Sequence, residues 1–336
     1  MTAARSAALV VRAPGDVALE PRPAPAPADG ELLILPEYVG LCGTDLEIID
    51  GLVDPAFIRY PIVLGHEWTG TAAEGSVIAG SRVVGEGIVP CGHCARCRSG
   101  ETNLCETYDE LGFTRDGAAA GHVVVPAPLV HRLTPGVSGQ DAALVEPASV
   151  AYRALAAAGV VPGCRALVIG DGTIALLAAH LLGLWSPAEI VMLGRRTGQA
   201  SLAAAAGAAT FATTPAAAGQ GFDLVVEAAG TTDAALAALA AARRGGTVVL
   251  VGLPPNGQTA AVAIDDLVNN DLRIFGSFGY TSAAWRVVVG LLNAGRLRPG
   301  FVITHRFRLE EYEQALATLR GGASPRGKVL LCVDGH

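Results

Sequence analysis

Four closely spaced cysteines constrain the fold of this chain more than any other feature of its sequence. They form the pattern C-x2-C-x2-C-x7-C at Cys91, Cys94, Cys97 and Cys105. Four thiolates in one loop make the tetrahedral set of a structural zinc site and leave no coordination position open for a substrate. We therefore predict a zinc-stapled lobe at about residues 90–106, and the chemistry must lie elsewhere in the chain.

Three other interpretations of these cysteines carry less weight. The bacterial iron–sulfur run also opens with C-x2-C-x2-C, but its fourth cysteine follows after three residues and precedes a proline. Here seven residues intervene and Glu106 follows. A disulfide framework is disfavoured because 336 residues contain only seven cysteines, with no secretory segment. Reduced thiols without a ligand stay open as the least specific alternative.

The bulk composition indicates two ordinary domains and argues against two classes of partner. A length of 336 residues with 51% hydrophobic residues supports two buried cores. The 24 basic residues are scattered and are outnumbered by 31 acidic ones, so a nucleic-acid footprint is not supported. The longest apolar helix, over residues 173–185, is short of the ~20 residues that a bilayer requires. We expect a soluble, cytoplasmic protein without membrane contact.

The distribution of apolar runs divides the chain into an N-terminal β-rich part and a strand–helix part. In residues 1–147, short β-branched runs broken by Gly and Pro predict an irregular, mostly antiparallel β domain. In residues 148–280, apolar strands alternate with Ala- and Leu-rich helices, which predicts a parallel sheet with crossover helices. The strands expected there are 165–169, 189–193, 223–227, 247–251 and 272–276. Residues 281–336 are expected to pack back onto the first domain.

A strand running into a glycine-rich turn predicts the cofactor site. The run from Arg165 continues into G-x-G-x-x-A and then a helix. In this pattern the first glycine permits a tight turn, the second lets a pyrophosphate approach the backbone, and the small third residue lets helix pack on strand. An ordinary glycine turn is the alternative. The residues expected to contact the dinucleotide are Gly170, Gly172, Thr173 and Ile174.

The end of the next strand indicates which dinucleotide binds. An NAD enzyme places Asp or Glu there, on the ribose 2′-hydroxyl. This chain has Gly194 followed by Arg195 and Arg196, and guanidinium groups favour the 2′-phosphate of NADP(H). Two solvated arginines on a turn are the alternative. We expect Asp171, an awkward neighbour for a diphosphate, to point to solvent.

A catalytic zinc site is predicted from groups outside the cysteine lobe. Such a site needs about three protein ligands and one replaceable position. Cys42, His66 and Glu67 can supply the three, with Glu146 as a fourth ligand or as a partner of the bound water. Each residue alone is more often a core residue than a ligand, so the prediction depends on their joint presence.

The order and spacing of these motifs resemble the zinc-containing medium-chain dehydrogenase/reductase family, most closely its polyol and threonine dehydrogenase branch. The motifs, which span essentially the whole chain, are Cys42-Gly-Thr-Asp45, Gly65-His-Glu67, the cysteine lobe, the Gly170 loop and Gly327-Lys-Val329. The resemblance implies an α/β fold with a GroES-like β-rich catalytic domain and a Rossmann cofactor domain built on a doubly wound parallel sheet. It assigns Cys42, His66 and Glu67 to the catalytic zinc, with Glu146 beside it. Residues 111–117 also resemble dehydrogenases of aminocyclitol biosynthesis.

The predicted mechanism gives roles to the residues around Cys42. Thr44 would pass the proton between the substrate oxygen and the ribose hydroxyl, and Asp45 would orient His66. Glu47 stands where many members of the family have a histidine at the end of the proton relay. We expect Glu47 or solvent to complete the route.

The leading hypothesis is reversible hydride transfer between NADP(H) and a secondary alcohol or ketone, with two zinc ions per chain. The expected substrate is a hydroxyl-rich sugar, polyol, cyclitol or aminocyclitol, reduced in biosynthesis, including that of aminoglycosides. Acidic Asp109 and Glu110 motivate the amine, although a solvated acidic face is the simpler interpretation. The alternatives are an NAD-dependent polyol dehydrogenase and a non-enzymatic zinc scaffold. A homodimer or homotetramer is expected.

Overall fold

The computed structural model describes residues 5–73, 76, 78–255, 257–321 and 325–333. The chain divides into two compact units. The first unit comprises Met1–Glu146, Tyr280–Ala323 and Lys328–His336, and the second comprises Pro147–Gly279 and Ser324–Gly327. The mixed α/β fold class predicted from the sequence is confirmed.

The first unit is rich in β-strands and carries few long helices. Its strands are β1 (Arg5–Ala13), β2 (Asp16–Pro23), β3 (Glu31–Leu41), β4 (Ile62–Val63), β5 (Glu67–Ala72), β6 (Arg82–Gly85), β7 (Val123–Pro126) and β8 (Val130–Arg132). The helices between them are α1 (Gly43–Asp50) and α2 (Ala95–Arg98), followed by α3 (Gly139–Ala142) and by α4 (Val145–Ala158), which begins in this unit.

Two sheets form the first unit. One has the order β2-β1-β4, and in the other β3 lies beside β5, which continues to β6 and β8, while β7 also pairs with β3. Residues of both sheets contribute to one hydrophobic core that contains the fully buried Trp68. Gly85 lies against the indole of Trp68 so closely that a Cβ there would collide with the ring. The glycine is therefore required for the tryptophan to fit.

The C-terminal part of the chain completes the larger sheet. Its strands and helices, which follow those of the second unit along the chain, are α10 (Ser282–Asn293), β15 (Ile303–Arg308), α11 (Tyr312–Arg320) and β16 (Lys328–Cys332). Strand β16 pairs antiparallel with β3, with Val329 opposite Leu41, and parallel with β15. This pairing brings the last strand beside the end of β3, where Cys42 follows.

The second unit is a parallel sheet with crossover helices. Its strands are β9 (Arg165–Ile169), β10 (Glu189–Leu193), β11 (Thr210–Ala212), β12 (Phe222–Glu227), β13 (Ala242–Leu250) and β14 (Arg273–Gly276), and its helices after α4 are α5 (Thr173–Leu182), α6 (Ala200–Ala205), α7 (Pro215–Ala218), α8 (Thr232–Ala241) and α9 (Ile264–Asn269). The order β11-β10-β9-β12-β13-β14 is that of a dinucleotide-binding fold. Ligands bind such sheets at the carboxyl ends of the strands, so the residues after β9 and β10 are the candidates for contact with a dinucleotide.

Helix α5 buries seven of its residues, whereas α9 buries none. Helix α5, the most apolar, has only ten residues. No helix within the described part of the chain has both the length and the apolar character to cross a bilayer.

In the first unit, one buried side-chain hydroxyl accepts hydrogen bonds from two backbone N–H groups. The Tyr280 hydroxyl oxygen accepts hydrogen bonds from the backbone N–H of Gly87, at 2.7 Å, and of Ile88, at 3.2 Å. Tyr280 is fully buried. A buried N–H without a partner costs about 1 to 3 kcal/mol, so this single oxygen holds a turn that leads toward the cysteine lobe.

We predict that Tyr280→Phe lowers the free energy of unfolding by about 1 to 3 kcal/mol because it leaves two N–H groups without an acceptor. Chemical denaturation measures the change. Tyr312→Phe is the matched control, since the Tyr312 hydroxyl donates to the exposed Glu313, and it should change stability by less than about 0.5 kcal/mol. Equal stability of the two variants would contradict the assignment.

Candidate metal centres and dinucleotide loop

The four cysteines of the lobe converge as a single group. Their sulfur atoms lie within 4.8 Å of one another, and the Sγ atoms of Cys91 and Cys97 are 3.9 Å apart. Four ligands about 2.3 Å from a zinc ion are about 3.8 Å apart at a tetrahedral edge. The spacing of the sulfurs therefore fits a closed zinc cage, and the lobe brings together all four cysteines predicted for it.

Backbone N–H groups in the lobe point at the sulfurs. The N–H of Cys94 donates to Cys91 Sγ, and the N–H of Cys97 donates to Cys94 Sγ. Backbone hydrogen bonds from Glu106 and Cys97 lower the pKa of the Cys94 thiol to about 6. Hydrogen bonds to the charged form favour the thiolate, which is the form that ligates a metal.

The thiol of Cys42 is fixed by the start of helix α1. Cys42 is the N-cap residue, and its sulfur accepts from the N–H of Thr44 at 3.3 Å. Asp45, in the first turn, accepts from the N–H of Cys42 at 2.8 Å, so the two residues form a reciprocal cap. The local sequence thereby fixes the sulfur at the N-terminus of α1.

Cys42, His66 and Glu67 form the second group that could hold a metal ion. Their ligand atoms lie within 4.8 Å of one another, and Cys42 Sγ is 3.2 Å from His66 Nε2. His66 Nδ1 lies 3.7 Å from Asp45 Oδ1, and neither atom has a hydrogen-bond partner among the described residues. Burial lowers the pKa of His66, but the charges of Cys42, Asp45 and Glu67 outweigh it and hold that pKa well above its usual value.

A buried lysine completes the surroundings of Glu67. Lys328 Nζ donates to both carboxylate oxygens of Glu67, at 2.7 and 2.6 Å, and to the carbonyl oxygen of Leu41 at 3.2 Å. Gly40 lies opposite Glu67 across the β3–β5 pair, and a Cβ there would collide with the carboxylate. Strand β3 lies between β16 and β5, so the pairing brings Lys328 close to Glu67, and Gly40 leaves space for the carboxylate.

Buried acids exceed the cations around this group. Burial raises the pKa of Glu110 to about 7. Burial, with the charge of Glu67, raises that of Glu146 to about 8, and burial also raises that of Asp45. Lys328 is the only lysine in the chain. A divalent cation would supply the missing positive charge and return these carboxyl groups toward ionisation, so the donor set fits a metal ion.

The residues predicted to carry the proton lie on α1. Thr44 is half-buried beside Cys42, and Glu47, three residues later on the same helix, is exposed. Burial of part of its side chain raises the pKa of Glu47. Residues three apart lie on one side of a helix, so both groups are on the same face of α1.

The glycine-rich turn after β9 has the features of a dinucleotide loop. Gly170 has φ +126°, and a Cβ there would lie 3.0 Å from the backbone of Ala228. Gly172 is the N-cap of α5 without a side-chain cap, and a Cβ there would meet nothing within 4 Å. The backbone is therefore open to an anion at the helix N-terminus, next to Thr173 and Ile174.

The end of β10 differs from the sequence prediction in one respect. Asp171 does not point to solvent, as was expected: its side chain is only 14% exposed and pairs with Arg196 at 2.7 Å. Burial raises the pKa of Asp171. The hydrogen bonds from Arg196 and Arg195 lower this pKa by more than burial raises it, so the net shift is downward. The reason is steric, because Gly194 has no side chain and leaves room for the carboxylate.

The sequence did not indicate where several residues at these sites lie or what they contact. Lys328 had a signal, since one lysine stands in a chain whose other basic residues are arginine. Glu110 is buried, contrary to the alternative of a solvated acidic face. Gln199, fully buried, donates to the carbonyl oxygen of Asp171 and binds the backbone of Arg326. Neither Glu110 nor Gln199 has a local pattern that distinguishes it from a surface residue.

Two family models match the chain. The Alcohol dehydrogenase GroES-like domain matches residues 28–135, and the Glucose dehydrogenase C-terminus matches residues 139–321. The first contains both candidate metal groups, and the second contains the dinucleotide loop. Together they cover most of the chain.

Relatives and solved structures agree with the models. The chain is 31% identical to L-threonine 3-dehydrogenase of Aeromonas hydrophila, over 93% of this chain and 94% of that protein. It is 28% identical to D-xylulose reductase A of Aspergillus niger, over 96% and 95%. The structure of a zinc-binding dehydrogenase from Sinorhizobium meliloti 1021, bound to NADP, is 26% identical to this chain with a TM-score of 0.91. The match covers 98% of this chain and 99% of that one. The chain belongs to the zinc-containing medium-chain dehydrogenase/reductase family, in its branch of threonine and polyol dehydrogenases.

Proposed function

We propose that this oxidoreductase transfers a hydride between NADP(H) and a secondary alcohol or ketone of a hydroxyl-rich small molecule. The observation that carries the proposal is the group of Cys42, His66 and Glu67, whose ligand atoms lie within 4.8 Å of one another. Three protein ligands with room for one more are the signature of a catalytic zinc site. The four cysteines of the lobe provide the closed counterpart, so we propose two zinc ions per chain.

The residues around the open group have distinct tasks in this proposal. Zinc, when bound, supplies Lewis acidity that lowers the pKa of the substrate hydroxyl. Thr44, whose backbone N–H donates to Cys42 Sγ at the cap of α1, accepts the hydroxyl proton and passes it on. Glu47, exposed on the same helix face, gives that proton a route to solvent. Asp45 faces His66 Nδ1 and positions the imidazole.

The preference for NADP(H) is supported by cations at the end of β10. Arg195 is exposed and Arg196 half-buried. A third guanidinium, that of Arg326, lies close enough to Arg196 that burial and the like charge together lower its pKa. Charge-assisted hydrogen bonds favour a phosphate over a hydroxyl at this position.

A hydroxyl-rich substrate is supported by buried acids near the open metal group. Glu110 interacts electrostatically with His66, and Glu146 with Glu67. Polar groups that are buried without substrate and hydrogen-bond a substrate hydroxyl or amine reject analogues that lack it. We infer that a cyclitol or sugar ketone, including one with an amine, is reduced in a cytoplasmic biosynthetic reaction such as those that lead to aminoglycosides.

An NAD-dependent polyol dehydrogenase is the second candidate, and one observation favours it. The carboxylate of Asp171 lies beside Gly194, where an acid that binds a ribose hydroxyl would project. A non-enzymatic zinc scaffold would need no open metal group, so the presence of Cys42, His66 and Glu67 together argues against it.

A homo-oligomer is supported by exposed apolar residues in the second unit. Ile264 and Val268 are 67% and 72% exposed and lie four residues apart on α9. Strand β14, which follows α9, stands at the end of the sheet. Exposed apolar residues on a helix and a strand at the end of a sheet are features that fit a second copy of this chain.

We expect each of the two zinc ions to be lost separately when one of its own ligands is substituted. Cys94→Ser should remove one zinc and lower the melting temperature, because structural zinc contributes directly to folding. Cys42→Ala should remove the other zinc and the activity while the chain stays folded. Zinc content by plasma mass spectrometry, with thermal melts, measures both. Cys164→Ala, a buried cysteine outside both groups, is the control. Full zinc content and unchanged melting in Cys94→Ser would refute the lobe assignment.

The activity is tested by assaying ring ketones of sugars and cyclitols, their amino-substituted analogues and simple aliphatic ketones with NADPH and NADH. We expect kcat/KM to be about tenfold higher with NADPH and highest for hydroxyl-rich rings. Glu110→Gln should reduce kcat/KM for the amino-substituted ring more than for its hydroxyl analogue. A tenfold preference for NADH would sink the coenzyme proposal. Equal or better kcat/KM for aliphatic ketones would sink the substrate proposal.

Light scattering after gel filtration measures the mass in solution. We expect a dimer or tetramer that dissociates in Ile264→Asp/Val268→Asp, because a carboxylate buried at an interface without a partner is strongly unfavourable. Val161→Asp places the same charge at another exposed apolar site and should leave the mass unchanged. A monomer in the unmodified protein contradicts the proposal.

A further inference from the structure

The carboxylate of Asp171 is surrounded by donors. Its Oδ2 accepts from the backbone N–H groups of Arg195 and Arg196, both at 2.9 Å. Its Oδ1 accepts from Nε and Nη2 of Arg196, at 3.1 and 2.7 Å. The same Nη2 also donates to the carbonyl oxygen of Asp171 at 2.9 Å. One largely buried carboxylate thus receives four hydrogen bonds, and a guanidinium is locked in place beside it.

These donors are of the kind that bind a phosphate group. Successive backbone N–H groups form an anion-binding concavity, and the guanidinium fork matches phosphate oxygens in pairs. They also lie at the end of β10, which is where a dinucleotide fold reads the 2′ position of the adenosine ribose. The Asp171 carboxylate therefore accepts hydrogen bonds from the same donors that a 2′-phosphate would use.

The carboxylate reaches this place because the neighbouring strand ends in glycine. A Cβ on Gly194 would lie 2.6 Å from Asp171 Cβ and 2.9 Å from Asp171 Oδ2. No larger residue could stand at position 194 without moving Asp171. Gly194 consequently leaves the space that the negatively charged side chain of Asp171 occupies.

Gln199 links the backbone of Asp171 to the segment that contains Arg326. Gln199 Nε2 donates to the carbonyl oxygen of Asp171 at 2.6 Å and to that of Arg326 at 2.8 Å, and Gln199 Oε1 accepts from the N–H of Arg326. Asp171 raises the pKa of Arg326, against the effects of burial and of Arg196. The Asp171 carboxylate thus offsets part of the positive charge of Arg196 and Arg326.

We propose that Asp171 sets coenzyme selectivity as a resident anion: it occupies the donors of the 2′-phosphate subsite, so NADP(H) must displace or share them and NAD(H) need not. The inference rests on the proposed NADP(H) function. It assigns to Asp171 a positioning role that acts through Arg196 and the two N–H groups. The arginines favour the 2′-phosphate, and Asp171 limits that preference.

The test compares binding of adenosine 2′,5′-bisphosphate with that of 5′-AMP, which differ only in the 2′-phosphate, by titration calorimetry at fixed ionic strength. Asp171→Asn should lower the Kd of the bisphosphate about tenfold or more and change the Kd of 5′-AMP less than threefold. Asp223→Asn is the matched control, because Asp223 also pairs with an arginine, Arg243, and accepts a backbone N–H. It should change neither Kd. A uniform change in both Kd values, or weaker binding of the bisphosphate, in Asp171→Asn overturns the proposal.

A second variant separates selectivity from structural support. Arg196→Gln should weaken bisphosphate binding at least about fivefold more in the Asp171→Asn background than in the unmodified chain, where Asp171 already holds the guanidinium. Asp171→Ser replaces Asp171→Asn in the same comparison if the latter melts early. Equal effects of Arg196→Gln in both backgrounds overturn the proposal. If the unmodified protein prefers NADH, yet Asp171→Asn still shifts the nucleotide ratio as expected, the coenzyme proposal fails while the role of Asp171 stands.

Discussion

The ion pair between Lys328 and Glu67 is the interaction on which the group of Cys42, His66 and Glu67 depends. A buried carboxylate is strongly unfavourable unless it is paired and hydrogen-bonded, and Lys328 donates to both of its oxygens. The two residues are 261 positions apart, so the pair exists only when β16 has joined β3 and β3 has paired with β5. Assembly of the last strand is therefore a condition for holding Glu67 beside Cys42 and His66.

Much of the fold follows from local sequence patterns. Strands β9 and β10 coincide with the predicted runs because buried parallel strands are continuously apolar and bounded by polar or glycine residues. Strand β11, Thr210–Ala212, was not predicted, since three residues in an alanine-rich stretch carry no β signal of their own. Its position is determined by pairing with β10, which is a tertiary contact.

The candidate sites were predictable to the extent that their geometry is local. The cysteine lobe and the Cys42 cap each lie within one short segment, so the spacing of the residues indicates their chemistry. The side chain of Asp171 was placed wrongly because its partner, Arg196, follows the next strand and the space between them depends on Gly194. The burial of Glu110 likewise depends on distant packing, which no local pattern reports.

We propose that one chain holds a closed zinc site of four thiolates and an open one built from Cys42, His66 and Glu67. Anomalous diffraction at the zinc edge, from crystals of the zinc-loaded protein, tests it most directly. We expect two peaks per chain: one about 2.3 Å from all four lobe sulfurs, the other about 2.3 Å from Cys42 Sγ and about 2.0 to 2.1 Å from His66 Nε2. A single peak in the lobe, or a second peak away from Cys42 and His66, would contradict it.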